Sequence, residues 1–354
     1  MCKRRRKIVR ASQAPILFDE RQAFLIDRAS HEVAKLGGPD VPGAASLSTL
    51  WAAEISATLD LPQRAAVAQF QSGLGSALYF TGMKHQLDND PPPLQLPPPH
   101  RLQDKRTDYL ASRSQILLHL VKHRAFAFDI DNQGRLVRLV GNFKGGGACK
   151  LAGEAVSHVA ELSSHAGVAL GPHTEPPYYC VLSPEAGHSP APSSLILTAR
   201  WNPENEPTHV FSLAPVLEKL SGLHALALTT RSFVFARSEC LEAAPGEVIM
   251  PNAILQADAR SGFAARFSTY RYNVAPHASP LAKQALDALN ELVRLSVPDA
   301  YVLQPDTALL IDNASALHGR ATLRDNARLL VRLFGYSSRV HPLVIRADPL
   351  IVRG

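Results

Sequence analysis

From about residue 125 onward, the sequence is a series of short runs of apolar and polar residues separated by Gly, Pro, Asn and Asp. This texture is typical of antiparallel β-strands, because successive side chains of a strand point to opposite faces of a sheet. About eight such runs are present, which is enough for a roll of two stacked sheets. The candidate strands are Ala125–Ile130, Leu136–Val140, Leu195–Arg200, Thr208–Ser212, Ser232–Ala236, Ala264–Val274, Ala308–Ile311 and Arg328–Tyr336.

The first hundred residues have a helical pattern instead. Residues 19–36 carry apolar side chains on one repeating face, and Gly37-Gly38 follows as a left-handed helix end. Further helices are predicted over residues 47–59, 61–79, 213–220 and 280–295. The proline-rich run 91–99 is incompatible with a helix and predicts an extended segment that crosses the surface.

Charge and hydropathy exclude several classes of protein. The net charge of +6 comes entirely from Lys3, Arg4, Arg5, Arg6, Lys7 and Arg10, so residues 11–354 are formally neutral and indicate no nucleic-acid partner. No apolar run is long enough for a membrane span or a signal peptide, and we therefore expect a cytoplasmic protein. We expect a flexible basic tail over residues 1–12 and a single domain over residues 13–354. The four cysteines show no paired spacing, which favours free thiols.

One histidine lies two residues before an acid, in Gly171-Pro172-His173-Thr174-Glu175. In a strand, positions i and i+2 face the same side, so the imidazole and the carboxylate can converge on one ion. A His-x-Glu pair arises often by chance, and alone it is a weak signal.

A second histidine stands in a suggestive setting further along the chain. The apolar run 309–311 ends in Asp312-Asn313, and a loop of small residues leads to His318, which Gly319 and Arg320 follow. Fourteen residues after His318, Arg332 falls within a predicted strand. A guanidinium buried there is costly unless an anion meets it, either a protein carboxylate or a bound one.

Two histidines and one carboxylate can occupy one face of an octahedral metal and leave three positions open, as in non-haem Fe(II) oxygenases. An arginine nearby then suits the far carboxylate of a chelating oxoacid, which a guanidinium binds bidentately. This joint pattern is much rarer than any of its parts.

On these motifs the chain resembles the Fe(II)- and 2-oxoglutarate-dependent oxygenases of the clavaminate synthase type, which are related to taurine dioxygenase. The resemblance implies an α+β fold with a double-stranded β-helix (jelly-roll) core and flanking helices. It implies a helical region over residues 13–100 and a jelly-roll over residues 101–354, with a mobile lid at about 176–194. It also implies O2 as oxidant and 2-oxoglutarate as cosubstrate, with Fe(II) held by His173, Glu175 and His318. By the same resemblance, Arg332 would hold the C5 carboxylate of 2-oxoglutarate and Thr208 would touch the cosubstrate.

The resemblance also implies a reaction. We expect hydroxylation of an unactivated carbon of an amino acid, free or bound to a carrier protein, in specialised metabolism. Glu175 disfavours halogenation, because related halogenases have a small residue at that position. Ser268 and Thr269 follow Arg266-Phe267 where relatives that act on basic amino acids carry an acid, which argues against a basic substrate.

Several alternatives stay open at this stage. The same oxidant serves desaturation, epoxidation and cyclisation. The set of His173, Glu175 and His318, called the triad below, is also compatible with a metal-binding but inactive interaction protein, or with a zinc hydrolase that would need no Arg332. An RNA- or membrane-associated protein anchored by residues 3–10 is a further class. The sequence does not indicate the oligomeric state.

Overall fold

The computed structural model describes residues 15–84, 91–143, 169–236, 250–260 and 262–354. The predicted basic tail over residues 1–12 lies outside the described residues. The helices are α1 (Glu20–Leu36), α2 (Ala44–Thr58), α3 (Leu61–Gln71), α4 (Lys105–Leu120), α5 (Ala214–Leu217), α6 (Gly222–Leu228) and α7 (Pro280–Arg294). The strands are β1 (Ile16–Leu17), β2 (Ala77–Thr81), β3 (His123–Phe128), β4 (Arg138–Gly141), β5 (Leu170–His173), β6 (Ser194–Trp201), β7 (Pro207–Ser212), β8 (Phe233–Phe235), β9 (Leu255–Asp258), β10 (Gly262–Ala265), β11 (Tyr272–Val274), β12 (Asp299–Val302), β13 (Ala308–Asp312), β14 (Ala316–Arg320), β15 (Leu329–Ser337), β16 (Val344–Ala347) and β17 (Leu350–Val352).

Two sheets organise these strands into a mixed α/β fold. The larger sheet has the order β1-β2-β13-β6-β15-β3-β17-β16, with β4 also paired to β15, and the smaller has the order β12-β7-β14-β5. The β9–β10 hairpin and the antiparallel pair of β8 and β11 complete the described strands. Most pairs are antiparallel, in agreement with the alternating sequence pattern.

The central strand β15 shows how the layers are held together. Leu329, Val331 and Leu333 pack into the apolar core shared with α1–α4. Leu330 and Phe334 point the other way, into a core that also takes Val210 and Ala316 from the smaller sheet. The period-2 pattern of this strand therefore places one face under the helices and the other between the sheets, on the side where Arg332 lies.

Helix α1 agrees closely with its prediction. Asp19 caps the helix by accepting from the backbone N–H of Gln22, whose side chain accepts from the Asp19 N–H in return. Gly37 ends the helix at φ 116°, a left-handed conformation that an L side chain rarely adopts.

Two predictions in the N-terminal half need correction. The helix predicted over residues 61–79 ends at Gln71, and Ala77–Thr81 is a strand that pairs with β1 and β13. Helix α4 was not predicted, because all but four of its residues are buried and it shows no single apolar face. Within the described residues, no helix is both long and apolar enough to span a membrane.

Candidate metal centre

His173, Glu175 and His318 meet between two neighbouring strands of the smaller sheet. β5 and β14 are antiparallel, and His173 lies directly opposite His318 in their register. One ligand atom from each of the three side chains lies within 4.8 Å of the others. The two imidazole rings are 4.3 Å apart, and the Nε2 of His318 is 3.4 Å from Oε1 of Glu175. The structure thus brings together the three residues predicted to hold a metal.

The loop between β13 and β14 positions His318. Asp312 accepts hydrogen bonds from the backbone N–H groups of Ala314 and Ser315, which closes the turn. Gly319 allows the neighbouring strand β5 to approach closely, because a Cβ at this position would lie 2.6 Å from the carbonyl oxygen of Leu170. In this motif, Asp312 therefore closes the turn by hydrogen bonding, and Gly319 leaves the space that the neighbouring strand needs.

Asn313 fixes Glu175 from behind. Its Oδ1 accepts from the Glu175 N–H at 2.7 Å, and its Nδ2 donates to the carbonyl oxygens of Glu175 and Pro192 at 3.2 and 3.0 Å. The side chain is 3% exposed and uses both of its donors and one acceptor position. The backbone of Glu175 is thereby held in place by hydrogen bonds that do not involve its carboxylate oxygens.

The charge state of Glu175 suits a cation. Burial alone would raise the pKa of this carboxyl, but Arg332, His318 and His173 together lower the pKa well below its usual range. Glu175 is therefore an anion at neutral pH although it is only 8% exposed.

The two imidazoles also have the orientation that a metal site needs. The carbonyl oxygen of Gly171 lies 2.9 Å from Nδ1 of His173 and accepts from it, which leaves Nε2 as the acceptor nitrogen. His318 directs Nε2 toward Glu175. A set of two imidazoles and one carboxylate on one face matches a divalent transition metal such as Fe(II).

Arg332 pairs with protein carboxylates. Its Nη1 donates to Oε1 of Glu175 at 3.1 Å, and its Nη2 donates to Oδ2 of Asp131 at 3.3 Å. Asp131 also accepts from Arg138, so one buried carboxylate joins two guanidinium groups. Sequence reasoning left a protein carboxylate open as the partner of Arg332, and this is the arrangement that the structure shows.

Thr208 and Arg328 form a different cluster on the wall of the same cavity. The Nη2 of Arg328 donates to Oγ1 of Thr208 at 3.0 Å. Arg328 is 3% exposed, and among the described residues no carboxylate lies within 4 Å of its guanidinium. Burial, together with the charge of Arg320, lowers the pKa of Arg328 to about 10 against the opposing charge of Glu206, so the group stays charged at neutral pH. Arg332 and Thr208, predicted to share the cosubstrate, therefore have different partners here.

One cavity connects these groups. It has a volume of about 100 Å³, and its wall includes the three triad residues, Thr208, Tyr270 and apolar side chains of β6 and β15. Five arginines line it, namely Arg138, Arg271, Arg320, Arg328 and Arg332. Among the described lining residues, Glu175 is the single carboxylate.

The segment predicted to be a mobile lid is anchored in the structure. Tyr178 is 1% exposed and its hydroxyl donates to the carbonyl oxygen of Thr174. The Ser189 N–H donates to the Arg353 carbonyl, and Nδ1 of His188 lies 2.8 Å from the carbonyl oxygen of Gly354. Within residues 176–194 the exposed positions are Ser183, Pro184, Ala186 and Gly187. The mobility of this segment stays a prediction.

Three contributions to the site were not predicted. Asp131 follows a strand without any motif, and its contact with Arg332 spans 201 positions, so no local signal could reveal it. Asn313 was noted only as part of a motif. Arg328 was not assigned to the cosubstrate, because it lies about 13 Å from Arg332 along the same strand face and can hardly serve the same carboxylate.

Comparison with known proteins places the fold. No family model and no curated protein matches the sequence. Among solved structures, asparagine oxygenase in complex with Fe(II), 2S,3S-3-hydroxyasparagine and succinate is 19% identical, with a TM-score of 0.68 over 96% of this chain and 99% of that chain. The non-heme iron oxygenase OrfP in complex with Fe, succinate and (3S)-hydroxy-L-Arg is 20% identical, with a TM-score of 0.60 over 92% and 94% of the two chains. OrfP with Fe and alpha-ketoglutaric acid is 18% identical, with a TM-score of 0.64 over 92% and 95%. The chain therefore has the fold of these non-heme iron oxygenases along nearly its whole length.

Proposed function

We propose that this protein is an Fe(II)- and 2-oxoglutarate-dependent oxygenase that hydroxylates an amino acid. The observation that carries the proposal is the convergence of His173, Glu175 and His318 within 4.8 Å. The same cavity is lined by Arg328, a buried arginine that has no carboxylate partner among the described residues. We further infer that the two facing sheets form a double-stranded β-helix, as the resemblance implied. The shared fold with asparagine oxygenase and OrfP supports both inferences.

The cosubstrate would bind at Arg328 and Thr208 in this proposal. A buried guanidinium without a protein carboxylate needs an anion, and a dicarboxylate that chelates the metal would supply one with its far end. Thr208 fixes one Nη group of Arg328 through its hydroxyl. Arg332 already contacts Glu175 and Asp131, which makes it the weaker candidate for this carboxylate.

The ferrous ion and 2-oxoglutarate would supply the oxidising chemistry, in which an amino acid, 2-oxoglutarate and O2 give a hydroxylated amino acid, succinate and CO2. The chain's own residues hold and orient the reactants. The two imidazoles and Glu175 would bind the metal on one face, and Arg332 keeps Glu175 ionised. Leu195, Leu197 and Leu330 line the cavity and exclude water from one side of it.

The substrate would carry a carboxylate. The five lining arginines make the wall cationic, and an amino acid offers an α-carboxylate that such a wall attracts. A basic side chain is disfavoured at the same wall. The hydroxylated products in the structures of asparagine oxygenase and OrfP support hydroxylation as the reaction. Attachment to a carrier protein would convert the α-carboxylate to a thioester, so the cationic wall favours a free amino acid over a carrier-bound one.

The test is anaerobic reconstitution of the purified protein with Fe(II) and 2-oxoglutarate, followed by exposure to O2 and measurement of succinate. Acidic, neutral and basic amino acids are compared as substrates. We expect substrate-dependent succinate release with acidic or neutral amino acids, and its loss in His173→Ala and His318→Ala. Substrate-dependent 2-oxoglutarate consumption that persists in either variant would contradict the proposed site. Hydrolytic activity with zinc and without 2-oxoglutarate would favour the hydrolase alternative.

A further inference from the structure

A second, smaller cavity lies behind the metal centre. It has a volume of about 30 Å³, and its wall includes residues of the β9–β10 hairpin, the segment 181–193 and the end of β15. Asn313, which holds the backbone of Glu175, forms part of this wall. The cavity does not share Glu175, His173 or His318 with the first one.

Arg266 is the unusual residue of this second cavity. It is 2% exposed, and its Nε and Nη1 have no hydrogen-bond partner within the part of the chain that the structure describes. Its Nη2 lies 3.4 Å from the Ala253 carbonyl oxygen, a long contact for a guanidinium donor. A guanidinium has five N–H donors, and leaving several of them unmet in the interior is costly.

The other arginines on this wall are already compensated. Arg339 pairs with Asp258 at 2.7 Å, and Arg260 lies 3.4 Å from Asp312. Among the described residues, no carboxylate lies within 4 Å of Arg266. The cavity therefore holds three guanidinium groups and one lining carboxylate, with a second carboxylate, Asp312, in contact with Arg260.

Nearby acids do not provide the missing charge. Burial raises the pKa of the Cys180 thiol to about 11, although the charge of Arg266 opposes the shift. Burial also raises the pKa of Tyr272, with Arg266 again acting in the opposite direction. Both groups are neutral near pH 7. Glu185, the remaining acid that interacts with Arg266, is hydrogen-bonded to Arg231.

We propose that the cavity beside Arg266 binds a small monovalent inorganic anion of the size of chloride or bromide. The anion offsets the buried charge and accepts from the unmet N–H groups, whereas water would satisfy the donors without offsetting the charge. A volume of about 30 Å³ admits an occupant the size of one or two water molecules and excludes dicarboxylates and nucleotides. This site is separate from the proposed catalytic function, and does not depend on it.

Bromide is the direct probe. Crystals of the full-length protein grown in sodium bromide should show an anomalous peak at the bromine edge within hydrogen-bonding distance of Nε and Nη1 of Arg266. This measurement uses the wild-type protein and does not depend on any variant folding. Absence of bromide at Arg266 in crystals that contain it at high concentration would overturn the proposal.

A solution experiment tests the same site independently. Sodium chloride replaces sodium gluconate at constant ionic strength, and the unfolding temperature is measured for wild type, Arg266→Met and Arg294→Met. Arg294 is exposed on α7 and controls for the loss of one positive charge. We expect a saturable rise for wild type and Arg294→Met, and a smaller rise or none for Arg266→Met, because a ligand stabilises only the state that binds it. An equal chloride response in Arg266→Met and wild type would overturn the proposal.

Discussion

At the scale of single residues, the function of the site depends on which anion each buried arginine contacts. Arg328 and Arg332 are four positions, or about 13 Å, apart on one strand face, and the resemblance to known oxygenases assigned the cosubstrate's carboxylate to Arg332. Their partners differ, since Arg332 contacts Glu175 and Asp131 whereas Arg328 contacts Thr208. Only the tertiary structure shows that Arg332 contacts Glu175, whereas Arg328 has no carboxylate within 4 Å among the described residues.

The first prediction follows from this difference. Arg328→Met should raise the apparent KM for 2-oxoglutarate by about 10- to 1,000-fold, because it removes a buried charge-assisted contact worth about 2–4 kcal/mol. Thr208→Val should raise it less, by about fivefold, since the guanidinium that binds the carboxylate remains and only the hydrogen bond that orients it is lost. Steady-state kinetics with varied 2-oxoglutarate measures both effects.

Arg332→Met is the matched comparison for Arg328→Met. Its KM for 2-oxoglutarate should change by less than about tenfold, since it removes a neighbour of Glu175 rather than the cosubstrate's own partner. A larger increase in Arg332→Met than in Arg328→Met would restore Arg332 as the residue that holds the C5 carboxylate.

Asn313 gives a second prediction at this scale. Asn313→Ala leaves the buried N–H and C=O groups of Glu175 without their side-chain partner, which should lower the free energy of unfolding by about 2 kcal/mol and weaken metal binding. Urea denaturation and Fe(II) titration measure the two effects. Asn273→Ala, an exposed substitution on β11, is the control. Unchanged metal affinity in Asn313→Ala would show that this side chain does not position Glu175.

At the scale of elements, the sequence predicts long periodic segments better than short or fully buried ones. α1 and α7 have one apolar face and clear caps, and both were predicted to within a residue or two of their ends. β2 was included in a helix, because its apolar run directly follows α3 and a short apolar run does not distinguish the two structures. β14 is made of small and polar residues, and its pairing with β5 and β7 depends on tertiary contacts.

The junction of α4 and β3 provides a prediction about pH. Burial, with Arg124 nearby, lowers the pKa of His119 to about 4, and burial, with Arg260 nearby, lowers that of His123 to about 3. Between these values and the ordinary pKa of about 6.5, the unfolded chain binds more protons than the folded one. Stability should therefore fall as the pH falls below about 6.5, by at most about 1.4 kcal/mol per pH unit for each histidine.

His123→Gln should reduce this pH dependence. Glutamine does not titrate, and it can keep a hydrogen bond to Ser194, which now lies 2.7 Å from Nδ1 of His123. Urea denaturation between pH 4 and pH 7 measures the slope, with the exposed His277→Gln as the control for loss of a histidine. Equal slopes in His123→Gln and wild type would contradict the assignment of His123 as a buried neutral group.

At the scale of the whole molecule, the described residues form a mixed fold of seven helices and large sheets, which is consistent with the predicted jelly-roll. The division into a helical region over residues 13–100 and a jelly-roll over residues 101–354 stays a prediction. The sequence predicted the triad because its three residues lie in two short motifs. The two histidines, His173 and His318, lie on β5 and β14, which pair directly. The sequence could not predict the networks around the triad, since Asp131 and Asn313 reach Arg332 and Glu175 across 201 and 138 positions. Such contacts have no periodic or local signature.

Metal loading should stabilise the whole fold. The triad joins β5 and β14, so a bound divalent ion favours the folded state over the unfolded one by about 2.7 kcal/mol at a hundredfold excess over its Kd. For a chain of this length, the unfolding temperature should rise by a few degrees with Fe(II) or Mn(II) under anaerobic conditions. Calorimetry with and without a chelator measures the shift, and His318→Ala should abolish it. A shift that persists in His318→Ala would place the metal elsewhere.

The binding of iron by His173, Glu175 and His318 is tested most directly by a crystal structure. The crystals are grown anaerobically with Fe(II) and 2-oxoglutarate, and anomalous data are collected at the iron edge. We predict one iron peak bonded to His173, Glu175 and His318, with the far carboxylate of the oxoacid against Arg328. Iron bound away from these three side chains, or no iron at a saturating concentration, would contradict this prediction.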